Sequence, residues 1–266
     1  MTMNITHDLH VHTYLSACCR DKEGMTVTNV LAAAEASGLR TVGFSDHLWM
    51  NAAVPPSSWY RPQDATQIRR LRNDLAALGP SPVRVSVGCE ADMRAPGQFS
   101  ITPEFAAGLD HVLLACSHFH MKDFIEQPAD TSPRAVAEHL VAFFVSGVQS
   151  GLATSIAHPF LPIGDTARLD AILGSLSDGE LTDALGVAAE CRVALEITIG
   201  FLPKAGPAPT FSLETPLRLL TLAKAAGCRF TFGSDAHDLT TLDHLAELQP
   251  LGDHLGLTDA DLAVHC

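Results

Sequence analysis

Seven short β-rich segments recur along the chain with helical stretches between them, and this alternation constrains the fold more than any other feature. The segments are Asp8–Val11, Thr41–Ser45, Val83–Cys89, His111–Cys116, Ala153–Ala157, Ala194–Thr198 and Arg229–Phe232. Helical spacing appears in Val27, Val30, Leu31 and Ala34, in Ile68, Leu71, Leu75 and Leu78, in Val136, Leu140, Phe143 and Phe144, and in Leu217, Leu220 and Ala223. Thr26 can cap the first helix and Gly38 can end it, while Pro216 suits a first helical turn and Gly227 follows the last. Strands alternating with helices build a mostly parallel sheet, either open or closed into a barrel. Neither GxGxxG nor GxxxxGK followed by Ser or Thr comes after any strand, which removes the usual signatures of the open nucleotide-binding folds. A (β/α) barrel is therefore expected, and 266 residues match the roughly 250 that one such domain occupies. The Pro-rich pieces Val54–Ser58 and Phe201–Pro209 read as long loops, no linker interrupts the chain, and residues 1–266 read as one domain.

The chain carries thirteen histidines, about twice the usual number for its length, with only 18% charged residues. They collect where the strands end. His10 and His12 end the first segment, Asp46 and His47 the second, Glu90 the third, His118 and His120 the fourth and His158 the fifth, and Asp235 with His237 follow the seventh. In a parallel barrel those ends converge on one mouth. His10 and His12, two apart on a strand, point to the same face, and Asp235 and His237 repeat the spacing. Neutral imidazoles with ionised carboxylates suit zinc, iron or manganese rather than calcium or magnesium, and a donor set poor in thiolates points to a catalytic rather than a structural metal.

The stretches Asp8-Leu9-His10-Val11-His12-Thr13, Ser45-Asp46-His47, Gly88-Cys89-Glu90, Ser117-His118-Phe119, Ala157-His158-Pro159 and Gly233-Ser234-Asp235-Ala236-His237 resemble, in order, the motifs of the polymerase and histidinol phosphatase (PHP) superfamily. Size and the absence of polymerase domains make the chain most similar to the stand-alone, histidinol-phosphatase-like branch. The resemblance implies a distorted seven-stranded (β/α)7 barrel, TIM-barrel-like, with a centre of two to three divalent metal ions (Zn, Mn or Fe). Carried over position by position, His10, His12, Glu90 and Asp235 hold one ion, Glu90 bridges to a second held by His118 and His158, and His47 and His237 hold a third. The remaining ligand of that third ion is His or Asp in the family, and the matching position here is Cys18. Cys18 either ligates as a thiolate, which favours zinc, or leaves the third site weak or unfilled, and Cys19 is a possible substitute. Asp46 is read as orienting its neighbours, and His120 as a substrate contact, an outer support or a solvent-exposed residue. His7, His111, His139, His244, His254 and His265 belong to no motif and are expected on the surface or on helix faces.

The implied chemistry is hydrolysis of a small phosphomonoester by metal-activated water at a di- or trinuclear centre, with Asp235 or His237 protonating the leaving group. Arg20 and Lys122 lie closest in sequence to proposed ligands and are the favoured phosphate clamps, ahead of Arg61, Arg94 and Lys204. Lys and Arg total 17 against 30 Asp and Glu, a formal charge of −13 that repels phosphate backbones and argues against a nucleic-acid partner. A nucleotide phosphodiesterase or exonuclease is the enzymatic alternative, and a regulatory module that binds metal or ligand without turnover is the other. No apolar run is long enough for a membrane span, and the N-terminus does not resemble a secretory signal. Seven cysteines without a CxxC pair suggest reduced thiols and a cytoplasmic protein. Cys89, Cys116, Cys191 and Cys228, in or beside apolar runs, are expected to behave as small hydrophobes. The sequence is silent on the leaving group and on the oligomeric state.

Overall fold

The computed structural model describes residues 3–204 and 210–264. Residues 205–209 of the second Pro-rich piece, His265 and Cys266 lie outside the described residues. In chain order the elements are β1 (His7–Val11), α1 (Val27–Ala36), β2 (Thr41–Phe44), α2 (Ala65–Leu78), β3 (Arg84–Val87), β4 (Cys89–Ala95), β5 (Gln98–Phe99), α3 (Pro103–Ala106) and β6 (Val112–Ala115). They continue with α4 (Pro133–Gln149), β7 (Ser155–Ala157), α5 (Leu169–Gly174), α6 (Asp178–Cys191), β8 (Ala194–Thr198), α7 (Glu214–Ala225), β9 (Phe230–Gly233), α8 (Leu239–Asp243) and α9 (Gln249–His254). None of the described helices is long and apolar enough to cross a membrane.

Local chemistry sets several boundaries. Thr26 caps α1 by accepting from the backbone N–H of Asn29, and Gly38 just beyond it has a φ of +75°. The faces expected to be apolar are buried on α1 (Val27, Val30, Leu31 and Ala34) and α4 (Val136, Leu140, Phe143 and Phe144), whereas on α2 Ile68 and Leu71 are buried but Leu78 is exposed, and on α7 Leu220 and Ala223 are buried but Leu217 is half-buried. Helix α6 is an addition to the sequence reading. A capping box from Ser177 to Glu180 starts it, and its buried face, Leu181, Ala184, Leu185 and Ala188, is half alanine and therefore weakly periodic by hydropathy.

The fold is mixed α/β with a largely parallel sheet, but the ladders do not draw a closed seven-stranded barrel. They form two sheets, β1-β2-β3 and β5-β4-β6-β7-β8-β9. The segment expected to be one strand at Val83–Cys89 breaks at Gly88: β3 pairs with β2 on one side of the break, and β4 pairs with β6 on the other. Beyond the break the chain runs on through β4 and turns back in β5, an antiparallel hairpin not expected from the hydrophobic pattern. Two seams join the sheets. At one, isolated parallel bridges link His47 to Glu90; at the other, they link Val11 to Ala236, where the N–H of His12 donates to the carbonyl of Ala236 at 3.0 Å.

The buried core includes two histidines expected outside it. His7 accepts from the N–H of Phe232 at 3.0 Å and packs edge-on against that ring. His111 lies between Ser45 Oγ (2.8 Å) and Ser86 Oγ (2.7 Å), so hydroxyls satisfy both its nitrogens inside the fold. Of the remaining four, His139 is half-buried against Phe143 on α4, His244 and His254 are exposed, and His265 is not described. Cys191 also departs from expectation: it ends α6 exposed, whereas Cys89, Cys116 and Cys228 are buried.

Candidate metal centre

The strand ends deliver their side chains to one place. His10 on β1 and His12 just past its end point to the same side, and Glu90 and Asp92 share a face of β4 by the same alternation. At the ends of β7 and β9 the backbone itself turns: His158 has a φ of 31° and Asp235 a φ of 53°. Left-handed backbone at a residue with a side chain costs energy, and here both instances aim a donor at the same cluster.

Three groups of donor atoms result, each with members within 4.8 Å of one another: His10, His12, Glu90 and Asp235; Glu90, His118 and His158; and His12, Cys18 and His237. In the first, His10 Nε2 lies 3.2 Å from His12 Nε2 and 3.2 Å from Glu90 Oε2. Asp235 Oδ1 lies 3.4 Å from the former nitrogen and 3.2 Å from the latter. In the second, Glu90 turns its other oxygen, Oε1, to His158 Nε2 at 3.0 Å and His118 Nε2 at 3.6 Å. Donors bound at about 2.0–2.2 Å to one ion stand apart by separations of this size. The donor set therefore fits divalent metal ions, with Glu90 facing two groups of donors. The third group differs from expectation by one residue. His12 joins Cys18 and His237, while His47 stands with Nε2 3.2 Å from Glu90 Oε2 and its Nδ1 tied to Asp92.

Each histidine of the set has its Nδ1 engaged, five by groups outside the donor set and His12 by Cys18, itself a donor of the third group. His10 Nδ1 meets Glu196 Oε1 at 2.7 Å, His47 Nδ1 meets Asp92 Oδ2 at 3.1 Å, and His118 Nδ1 meets Asp92 Oδ1 at 2.5 Å. His158 Nδ1 is 2.9 Å from Ser117 Oγ, His237 Nδ1 donates to the carbonyl of Asp235 at 2.7 Å, and His12 Nδ1 is 3.8 Å from Cys18 Sγ. Acceptors at Nδ1 place the proton there and leave the Nε2 lone pair facing inward, the tautomer a metal ligand needs. Asp92 and Glu196, both fully buried, are the functional residues that motif reading misses. Their signals were present: Asp92 is two residues from Glu90, and Glu196 is the one charged residue in the strand Ala-Leu-Glu-Ile-Thr. Glu196 also accepts from the N–H of His158 at 2.7 Å through Oε2, and a Cβ at Gly233 would come within 2.0 Å of Oε1, so only glycine leaves room for this carboxylate. Asp46 supports the turn after β1, accepting from the N–H and hydroxyl of Thr13 at 2.6 and 2.7 Å.

The charges of the metal-free cluster are mutually dependent. Burial alone would lower the pKa of His10, yet the carboxylates of Glu196, Asp235 and Glu90 outweigh it and hold the imidazolium well above its ordinary value. The same competition raises His47, through Glu90 and Asp92, and His118, chiefly through Asp92. Burial opposes ionisation of Glu90, Asp92 and Asp235, but the facing histidines win and all three lie below the usual carboxylate range. Burial likewise opposes ionisation of Cys18, but His12, with help from His237 and His47, brings the thiol down to about 3. These neighbours favour the thiolate, the form that binds metal.

The cluster floors a cleft of about 540 Å³ whose walls include Trp59, Tyr60, Met121 and Ile163, with His120 at its edge. No lysine or arginine lines it among the described residues. Arg20, expected to clamp phosphate, is instead held by Asp238 through Nη2 at 2.7 Å and Nε at 3.1 Å, because the residue after His237 supplies the nearer anion. Lys122 lines a neighbouring cavity, together with His120. Arg94 lies over the ring of Phe124, and Arg61 and Lys204 are exposed elsewhere.

Comparison with known proteins places these residues in context. The model of the PHP domain matches residues 8–198, and Asp235 and His237 lie beyond the matched stretch. No curated protein matches the chain. Among solved structures, the chain is similar to N-isopropylammelide isopropylaminohydrolase from Burkholderia multivorans ATCC 17616, at 15% identity and a TM-score of 0.49, over 96% of this chain and 70% of that one.

Proposed function

The chain belongs to the PHP domain family, and from that premise we propose that it is a metal-dependent hydrolase acting on a small phosphomonoester at a di- or trinuclear centre. The observation that carries the reading is Glu90, whose two carboxylate oxygens face two separate groups of imidazoles. His10, His12, Glu90 and Asp235 would hold one divalent ion and Glu90, His118 and His158 a second; Cys18, His47 and His237 would hold a third. Zinc, manganese or iron fits the first two sets, and the thiolate favours zinc in the third. Ions held this way supply Lewis acidity, activating water as the nucleophile and offsetting charge that develops on the phosphoryl oxygens.

The remaining work falls to the chain's own side chains. Asp235 is held ionised by His10 and His12, so it is a poor proton donor. His237, whose Nδ1–H is anchored on the Asp235 carbonyl, can take that role in the dinuclear form, in which its Nε2 is not a metal ligand and can carry the proton. Trp59 and Tyr60 wall the cleft with apolar surface, which limits water at the reacting atoms. The two sheets act as one distorted seven-stranded barrel, a reading supported by the bridges at both seams. Metal analysis of protein purified without chelator, combined with phosphate release from sugar phosphates, nucleoside monophosphates, histidinol phosphate and dinucleotides, tests the proposal. Two to three ions per chain and turnover of monoesters are expected. Fewer than one ion, or turnover confined to the dinucleotides, overturns it, and full metal occupancy without turnover favours a regulatory module.

A further inference from the structure

We propose that the cavity beyond His120 receives the leaving group of the substrate and prefers one carrying a negative charge; the leaving-group role rests on the phosphoesterase reading above. The cavity has a volume of about 310 Å³ and adjoins the metal cleft, since His120 and Ile163 line both. A space of that size is at the small end of ligand sites and suits one compact group. Phe119, Val136 and Pro162 give it apolar walls.

The partition between the two spaces is fixed in place. Gly164 has a φ of +90°, and a Cβ there would sit 2.6 Å from the Cβ of His120, so glycine lets the loop after β7 close against His120. The N–H of Ile163 donates to the carbonyl of Ser117 at 3.2 Å and ties that loop to the end of β6. A molecule with its phosphate over the metal cluster therefore has a preformed neighbouring space for the rest of its body.

The charge of that space comes from one residue. Arg168 and Asp165 both line it, but they neutralise each other: Arg168 Nε lies 2.9 Å from Asp165 Oδ2, and Nη1 is committed to the carbonyl of Thr131 at 2.8 Å. Lys122 also lines the cavity and makes no ion pair or hydrogen bond among the described residues. It also lines a separate groove together with Arg94, Asp123 and Glu126, without pairing with either acid. An unpaired ammonium at the wall attracts a carboxylate or a second phosphate on the leaving alcohol and repels an ammonium, so an amino alcohol such as histidinol is disfavoured.

The test uses esters of equal shape and different charge: para-carboxyphenyl phosphate and para-aminomethylphenyl phosphate, with the metal-loaded protein and its Lys122→Gln and Lys122→Glu variants. The wild type is expected to favour the carboxylate ester by about tenfold in kcat/KM, mainly through KM, because the contact is remote from the reacting atoms. The ratio should approach one in Lys122→Gln and invert in Lys122→Glu. A ratio that ignores Lys122 overturns the subsite and leaves the phosphoesterase reading intact. Calorimetric binding of para-carboxybenzylphosphonate against para-aminomethylbenzylphosphonate, which needs no turnover, separates the two claims. Lys122-dependent discrimination between them without hydrolysis of any ester would keep the charged subsite and overturn the phosphoesterase reading, whereas failure of the wild type to bind either phosphonate overturns the subsite.

Discussion

Replacing Glu196 by glutamine tests whether the centre is set up by the carboxylates behind it. Glu196 receives two donors, His10 Nδ1 at 2.7 Å on one oxygen and the backbone N–H of His158 at 2.7 Å on the other. A glutamine has one acceptor oxygen and would turn it to the N–H of His158, which cannot change its role. The amide NH2 would then face His10 Nδ1 and force the proton to Nε2, the atom that faces Glu90 and Asp235. The loss exceeds one hydrogen bond, because the lone pair meant for the ion is occupied. Removal of such an outer support commonly weakens metal affinity about 10- to 100-fold, and the double role of Glu196 places the expectation at the upper end. Competition titration with a chromophoric chelator measures the constant, and circular dichroism checks that the variant is folded. One class of site should weaken while the others hold. Unchanged affinity in a folded Glu196→Gln protein would refute the argument that Nδ1 anchoring selects the ligand tautomer.

Three further outcomes follow from the same geometry. Asp92→Asn should loosen His47 and His118 together, since each oxygen holds one of them, and lower kcat at saturating metal by about 10- to 100-fold; a loss below twofold counts against its positioning role. In the cobalt-substituted protein, Cys18→Ser should abolish a thiolate-to-cobalt charge-transfer band that Cys19→Ser retains, and its absence from the wild type would mean that Cys18 supports His12 without ligating. The chelated protein should be most thermostable between the carboxylate and histidine titrations. The raised His10, His12, His47 and His118 contribute fully below the ordinary histidine value and lose that contribution as pH rises through their folded values, while the lowered Glu90, Asp92 and Asp235 lose theirs as pH falls. Added zinc should raise Tm most on the alkaline side, where ligands no longer have to release protons, and a uniform shift across pH would contradict this.

The inner donors were legible because strand alternation and strand ends are local properties of the sequence. His10 with His12 needs only the period of two, and Asp235 with His237 only a position after an apolar strand. What supports them was harder to read, because a supporting residue is defined by contacts across the fold. Glu196 meets His10 from 186 positions away, and nothing near Glu196 distinguishes it except a charge in a buried strand. His7 and His111 failed for the same reason: without a motif they read as surface residues, and only the packing of β9, or of Ser45 and Ser86, makes them interior. The break at Gly88 divided one apolar run between two sheets, which hydropathy alone cannot register. Arg20 was near the ligands in sequence, but Asp238 was nearer in space.

The balance of buried charge gives an independent reason for cations in the mouth. Asp8, Asp46, Glu90, Asp92 and Glu196 are all buried, and no lysine or arginine is buried among the described residues. Five carboxylates withdrawn from water without a fixed cation would be costly enough to neutralise themselves by protonation. Asp8, which belongs to none of the donor groups and is raised to about 6 by burial, moves in that direction. Glu90 and Asp92 move the opposite way, and the groups that chiefly lower them among the described residues are imidazoles. Imidazolium supplies one positive charge where the geometry offers a shared position to a doubly charged ion. The excess of acid over base in the composition is therefore partly an interior property: it marks where the fold needs positive charge that its own lysines and arginines do not provide.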